Sequence, residues 1–151
     1  MSSPAYNVTI TRVINCTANE LYDACTDPTI VQRWLGATSL EADVRVKGAY
    51  RVEVEETDGK LRTFAGQYKV LAVGHRIVQT FADTAAPVGL FSDEELEIQL
   101  APQGSLTKLT LIHSWNGADL PPTERKAREA RWSASLERLS LAVELPGTLD
   151  S

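Results

Sequence analysis

One long amphipathic helix near the carboxyl end of the chain constrains the fold more than any other feature. Four apolar side chains in the stretch from 121 to 145 recur at the spacing i, i+4, i+7, i+11, which places them on one helical face: Trp132, Leu136, Leu139 and Val143. That face has to be buried against another part of the chain. The sequence before the helix must therefore supply a second layer.

Short runs rich in β-branched and aromatic residues precede this helix, and Gly, Pro and Asp separate them. The predicted strands cover 8–15, 49–56, 61–73, 76–81, 91–100 and 106–115, with an ambiguous edge strand at 40–46 and a loop at 83–90 that would fold over an opening. Strands joined in sequence by tight turns give an antiparallel sheet, and a lone helix covers one of its faces. The sequence predicts an α+β fold in which a curved sheet of about six to seven strands wraps around the helix.

Two short helices are predicted directly after the first strand. Thr17 and Glu20 have the spacing of a capping box, and Asp27-Pro28 repeats a helix start with proline at the first helical position. Gly36 marks the end of the second helix. The residues expected to point inward are Leu21, Ala24 and Cys25 in the first helix and Ile30, Val31, Trp34 and Leu35 in the second.

Length and charge limit the classes of protein that fit. With 151 residues, of which 43% are hydrophobic and 23% charged, the chain is predicted to be one domain over 1–151, with a core from about 8 to 145 and a tail at 146–151. The net charge of −5 argues against a nucleic acid or an anionic membrane as the main partner. The sequence has neither an export signal nor a membrane-spanning apolar run, so we expect a cytoplasmic protein. Cys16 and Cys25 are expected to be free buried thiols rather than a disulfide.

Few residues suggest catalysis. His113 shares a strand face with Leu109 and Leu111 and is the best candidate for a general acid or base, but a single inward histidine is more often a satisfied core residue. We therefore assign no catalytic residue. The acidic run 93–95 is expected to form a solvated rim, and His75 to lie exposed in a turn. The spacings contain no metal-ligand cluster, nucleophile elbow or phosphate loop, so neither a metal nor another cofactor is expected.

The aromatic residues are the best candidates for a ligand site. Most of such a set is ordinary core, but an apolar pocket requires aromatic walls with a few polar tips. Arg51 is one candidate tip, and Arg12, on the apolar side of its strand, either enters a polar pocket or leaves at the sheet rim, which we favour. The predicted ligand-binding residues are Trp34, Tyr50, Phe64, Tyr68, Phe81, Phe91, His113, Trp115, Trp132 and Leu136.

The long helix carries a second, weaker stripe opposite Trp132. Small residues with two leucines can contact a second copy of the chain in a homodimer, and they are equally typical of good helix formers on a solvated face. Both interpretations stay open. The residues of this stripe are Ala127, Ala130, Ala134, Leu141 and Leu145.

A set of short segments in a fixed order carries a family resemblance. The segments are Arg12-Val-Ile-Asn15, Leu21-Tyr-Asp-Ala24, Thr26-Asp-Pro28, Trp34, Lys47-Gly-Ala-Tyr50, Gly66, Arg76-Ile-Val78, Leu109-Thr-Leu-Ile-His113, and Trp132 with Leu136 and Leu139. With these segments the chain resembles the activator of heat shock protein 90 ATPase homologue family, a branch of the START-like (SRPBCC) helix-grip superfamily. The similarity runs from about Val8 to Val143.

The resemblance implies a helix-grip fold with a deep, mostly apolar cavity between the sheet and the C-terminal helix. In the superfamily such cavities hold lipids, polyketides or hormones, a few members are enzymes, and the eukaryotic founders of the family stimulate a chaperone ATPase. The family often has two adjacent tryptophans followed by Gly-Pro where this chain has Trp34-Leu-Gly-Ala37, and a Gly-Gly pair where it has Lys47-Gly48. These differences alter the expected mouth of the cavity, so the ligand preference does not carry over.

The leading hypothesis is a protein that binds a small hydrophobic molecule without turning it over. One alternative is a cyclase-like or hydratase-like enzyme acting on a polyketide or aromatic substrate, which depends mainly on His113. The other is a co-chaperone that contacts an Hsp90-type ATPase through its surface.

Overall fold

The computed structural model describes residues 6–56, 58–84, 91–117 and 120–144. Its α+β architecture consists of an antiparallel sheet and three helices, as predicted. In chain order the elements are β1 (Tyr6–Ile14), α1 (Ala18–Thr26), α2 (Pro28–Leu35), β2 (Ala37–Ala42), β3 (Ala49–Glu55), β4 (Leu61–Ala72), β5 (Arg76–Thr80), β6 (Ala82–Asp83), β7 (Phe91–Gln103), β8 (Leu106–Gly117) and α3 (Pro122–Glu144).

The main path of the sheet has seven strands in the order β1-β8-β7-β5-β4-β3-β2, and the two-residue β6 pairs with β4. All the pairings are antiparallel. The first and second strands of the chain therefore form opposite edges of the sheet. Helices α1 and α2 carry the chain from one edge to the other, while the remaining strands fill the space between them.

Helix α3 packs against α2 and β1 and buries the predicted apolar face. Trp132 is 7% exposed and Leu136 and Leu139 are fully buried, while Val143 is half-buried. The described residues of the second stripe are exposed, which is compatible with both a solvated face and a homodimer: Ala127, Ala130, Ala134 and Leu141. Leu145 and the tail at 146–151 lie outside the described residues.

The capping signals form as the sequence predicts. Thr17 Oγ1 accepts from the Glu20 backbone N–H at 3.1 Å, and Glu20 Oε1 accepts from the Thr17 N–H at 3.0 Å. Asp27 caps α2, and Gly36 ends it with a left-handed φ of 69° that favours glycine. Both cysteines are free and buried, as expected.

Several details differ from the sequence predictions. Strand β2 begins at Ala37, directly after α2, rather than at 40, because the left-handed Gly36 sends the chain straight into the edge of the sheet. Apolar residues on both sides of 8–15 favour a strand with both faces partly covered, but the second face of β1 is open, with Val13 53% exposed, because no described helix covers that side. Arg12 is half-buried on this edge strand and donates to Ser133 Oγ of α3 at 2.9 Å. Of the predicted loop at 83–90, residues 85–90 lie outside the described part.

Candidate functional site

A cavity of about 110 Å³ lies between the sheet and α3. The resemblance implies a mostly apolar lining, and most of the lining surface is apolar, although seven of the thirteen lining residues are polar or charged. The apolar residues are Leu35, Val52, Val54, Phe64, Phe81 and Trp132, and the others are Glu56, Arg62, Glu94, His113, Arg128, Arg131 and Ser135.

Three aromatic side chains form one wall of this cavity. Phe64 of β4 stacks on Phe81, which follows β5, with ring centroids 4.7 Å apart. Trp132 of α3 lies 5.7 Å from Phe81, so the wall bridges the sheet and the helix. Stacked and tilted aromatic pairs at these distances add to the apolar contact energy of the rings. We name Phe64, Phe81 and Trp132 the aromatic wall.

His113 of β8 lies beside the aromatic wall and is 3% exposed. The Trp132 indole Nε1–H donates to His113 Nδ1 at 3.2 Å, and His113 Nε2 lies 2.7 Å from Glu94 Oε2. Since Nδ1 accepts a hydrogen bond, the proton of the neutral ring is on Nε2, which donates to the Glu94 carboxylate. Burial lowers the pKa of His113, and the nearby positive charges of Arg128 and Arg131 act in the same direction, whereas the hydrogen bond to the Glu94 carboxylate and its negative charge raise the pKa.

Glu94 corrects one expectation from the sequence. The acidic run 93–95 was expected to be a solvated rim, but the Glu94 side chain is only 10% exposed and faces the cavity. It lies two residues before the buried Leu96 on β7, so period-two alternation puts it on the inner face. Glu95 points the other way and pairs with Lys69 on β4. The alternation itself was therefore the signal that could have identified Glu94.

Three arginines reach the cavity from two elements. Arg62 of β4 and Arg131 of α3 both approach Glu56 Oε1, with their Nη1 atoms at 3.1 Å and 3.5 Å. Arg128 of α3 has a side chain that is 16% exposed, and its Nη1 lies 3.7 Å from Glu94 Oε2. We name Arg62, Arg128 and Arg131 the arginine cluster.

Arg128 lies deepest of the arginine cluster. Its guanidinium carbon is 5.0 Å from the centroid of the Trp115 ring, within range of a cation–π interaction. Burial lowers the pKa of Arg128, and the Glu94 carboxylate partly offsets this. An arginine side chain nevertheless keeps its charge in proteins, so the cavity contains a nearly buried cation.

The sequence pattern also contained signals for the arginine cluster. Arg128 is one helical repeat (i−4) before Trp132 on the buried face of α3, and Arg62 shares the inner face of β4 with Phe64. Arg51, expected as a polar tip, lies instead on the outer face of β3 with its side chain 62% exposed. Its neighbours Tyr50 and Val52 are the ones that point inward.

The structure brings four of the ten predicted ligand-binding residues to the cavity, namely Phe64, Phe81, His113 and Trp132. Five others are buried in the core and are not among the lining residues: Trp34, Tyr50, Tyr68, Trp115 and Leu136. Trp34 donates its indole N–H to the Ala24 carbonyl at 3.0 Å and so joins α1 to α2. The side chain of Phe91 lies outside the described part of the structure.

The described residues contain no group of three or more His, Cys, Asp or Glu that could hold a metal ion. Among the described helices, none is long and apolar enough to cross a membrane.

Comparison with known families identifies the chain. The model of the family described as "Activator of Hsp90 ATPase homolog 1-like protein" matches residues 15–144, most of the sequence. The chain belongs to this family. The resemblance drawn from the sequence is thereby confirmed, and so is the helix-grip architecture that it implies. No curated protein matches the chain.

Several solved protein structures share the fold of this chain. Protein CV1439 from Chromobacterium violaceum is 28% identical, with a TM-score of 0.77 over 91% of this chain and 96% of that one. The Aha1 dimer from Colwellia psychrerythraea is 17% identical, with a TM-score of 0.70 over 93% and 97%. CalU16 from Micromonospora echinospora is 20% identical, with a TM-score of 0.67 over 94% and 78%. The last two comparisons support the fold alone.

Proposed function

We propose that this family member binds a small hydrophobic molecule in the cavity between the sheet and α3, without turning it over. The observation that carries the proposal is the aromatic wall, which contributes three rings to the lining of a partly open cavity. Small-molecule sites combine such apolar walls with a few polar groups that fix orientation. An engineered apolar cavity of roughly 150 Å³ accepts benzene, so a volume of about 110 Å³ would take at most a part of the ligand about the size of one ring.

The geometry favours a binding role for His113 over a catalytic one. A general base needs a free nitrogen within reach of the proton that it takes. Here Nδ1 accepts from Trp132 and Nε2 donates to Glu94, so both ring nitrogens are engaged by side chains. We assign His113 to holding Trp132 in the aromatic wall.

A cavity-filling variant tests the proposal. Val54 lines the cavity and is half-buried, whereas Val44 is 37% exposed and lies outside the lining. In a thermal-shift screen of hydrophobic compounds, hits should raise the Tm of the wild type and of Val44→Phe but not of Val54→Phe. Hits that stabilise all three proteins equally would place binding elsewhere, and a panel with no hits would contradict the proposal.

The family description supports a second candidate function, the stimulation of an Hsp90-type ATPase through the protein surface. An ATPase assay with a purified chaperone of this type tests it directly. Stimulation that survives Val54→Phe would assign the activity to the surface, and the lack of any stimulation would remove this candidate.

A further inference from the structure

One buried carboxylate lies in the cavity beside the aromatic wall. The Glu94 side chain is 10% exposed and lines the same cavity as Phe81 and Trp132. The backbone carbonyl of Glu94 accepts from the Phe81 N–H at 2.9 Å, so this part of β7 is held next to the central ring of the wall. A buried acceptor without a donor is costly, so both oxygens of such a carboxylate need hydrogen-bond partners.

The two carboxylate oxygens of Glu94 differ in their contacts. Oε2 accepts from His113 Nε2 at 2.7 Å and lies 3.7 Å from Arg128 Nη1. Among the residues that the structure describes, none donates a hydrogen bond to Oε1. An ionised carboxylate accepts about four hydrogen bonds, two at each oxygen. Oε1 is therefore an acceptor that the described part of the chain leaves to a molecule in the cavity.

His113 fixes the position of this carboxylate relative to the aromatic wall. The Trp132 indole N–H donates to His113 Nδ1 at 3.2 Å, so the ring proton is on Nε2 and is donated to Glu94 Oε2. One buried histidine thus connects a ring of the wall to the carboxylate. Because the apolar surface and the acceptor are held in place before binding, a ligand that uses both has less ordering to pay for.

Building on the proposed cavity site, we propose that Glu94 Oε1 accepts a hydrogen bond from the ligand, and that the ligand is an uncharged aromatic molecule with a hydroxyl group. Its ring lies against the aromatic wall, and its O–H donates to Oε1. A hydrogen bond to a charged acceptor is roughly twice as strong as one between neutral groups. The carboxylate would repel an anionic ligand and the Arg128 guanidinium would repel an ammonium group, so an uncharged donor suits both.

Three probes with one ring each test this inference. Phenol can donate and accept a hydrogen bond, anisole can only accept, and toluene can do neither. Each is titrated against the wild type in sealed tubes by NMR, with the Trp132 indole N–H resonance as the reporter. Phenol should bind at least fivefold more tightly than either other probe. A smaller advantage over anisole or toluene would overturn the inference of an acceptor and leave cavity binding intact, whereas no binding by any of the three would contradict both.

A matched pair of variants tests the assignment to Glu94. In Glu94→Gln the amide carbonyl takes the hydrogen bond from His113 and the amide NH₂ takes the place of Oε1, so phenol and anisole can both only accept there. The advantage of phenol over anisole should fall below twofold. Glu95→Gln makes the same change on the outer face of β7, where Glu95 pairs with Lys69, and should leave the advantage unchanged.

Circular dichroism verifies that both variants are folded, and the wild-type titrations test the acceptor without them. An advantage of phenol that persists in Glu94→Gln would overturn the assignment to Glu94. An equal loss in Glu94→Gln and Glu95→Gln would overturn it as well, because it would show an effect of net charge rather than of one oxygen.

Discussion

The His113 ring is buried between two hydrogen-bond partners, accepting from the Trp132 indole at Nδ1 and donating to the Glu94 carboxylate at Nε2. A second proton would have to go on Nδ1, where the Trp132 indole N–H already points. Protonation would thus replace a hydrogen bond by two opposed N–H groups, in a buried place where charge is costly. Burial lowers the pKa of His113, the positive charges of Arg128 and Arg131 add to this, and the Glu94 carboxylate opposes it.

The first prediction is a loss of stability in mild acid. The pKa of His113 is lower in the folded protein than its ordinary value of about 6.5. Below that pH, the unfolded chain therefore binds more protons than the folded protein does. The free energy of unfolding should be unaffected by this group above about pH 7 and fall as the pH decreases through 6.5, with a slope of up to about 1.4 kcal/mol per pH unit.

Urea titrations between pH 7.5 and 5 measure this slope. His113→Gln should reduce it, whereas His75→Gln, which removes an exposed histidine, should keep it. If the free energies of unfolding of the wild type and His113→Gln changed in parallel with pH, the claim that His113 is neutral in the folded protein would be refuted.

The second prediction concerns the two thiols. Burial, reinforced by the charges of Glu20 and Glu144, raises the pKa of Cys16 to about 11, and burial also raises the pKa of Cys25. Because the thiolate is the reactive form, neither should react with Ellman's reagent at pH 8 in the folded protein, and both should react in denaturant. Val73→Cys places a thiol at a position that is 66% exposed and should add one fast-reacting group. Fast labelling of the native wild type would contradict the buried, protonated state.

Helix α3 buries one face against the rest of the described chain. Leu136 is fully buried on that face, whereas Leu141 of the same helix is 41% exposed. Leu136→Ala should lower the free energy of unfolding by about 2–5 kcal/mol because it leaves a cavity. Leu141→Ala should change it by less than about 0.5 kcal/mol, since it removes an exposed side chain. Chemical denaturation measures both, and a similar cost for the two would mean that the second stripe of α3 is also covered, as in a homodimer.

Gly66 allows β4 to approach the end of β5. A Cβ at this position would lie 2.1 Å from the Thr80 backbone oxygen, which also accepts from the Tyr50 hydroxyl. Gly66→Ala should therefore cost about 1–3 kcal/mol, as overpacking typically does. The adjacent Gln67→Ala, at an exposed position, is the control and should be nearly neutral. Equal Tm values for Gly66→Ala and the wild type would show that β4 and the end of β5 can move apart to accommodate the added methyl group.

Local signals were sufficient for most of the elements. The capping box at Thr17, the Asp27-Pro28 start and the apolar stripe of α3 each involve residues within one to three helical turns, so their patterns are visible in the sequence. The site depends on contacts between distant residues. Glu94 contacts His113 only because β7 pairs with β8. The acidic neighbours of Glu94 in the sequence indicate a solvent-exposed side chain, but its position on the inner face of β7 determines that the side chain is buried.

Across the whole molecule, the distribution of charge is more informative than its sum. The net charge of −5 is a sum over the full sequence, while the described lining of the cavity brings together Arg62, Arg128 and Arg131. Which side chains face inward could be deduced strand by strand, but their meeting in one cavity depends on the order of the sheet.

The most direct test of a cavity ligand is a native mass spectrum of freshly purified protein, recorded before and after organic extraction. The account predicts a mass excess in the wild type that disappears on extraction and is absent from Val54→Phe. The same spectrum reports whether the chain is a monomer or a homodimer. A wild-type spectrum at the mass of the bare chain, unchanged by extraction and identical in form to that of Val54→Phe, would contradict the account.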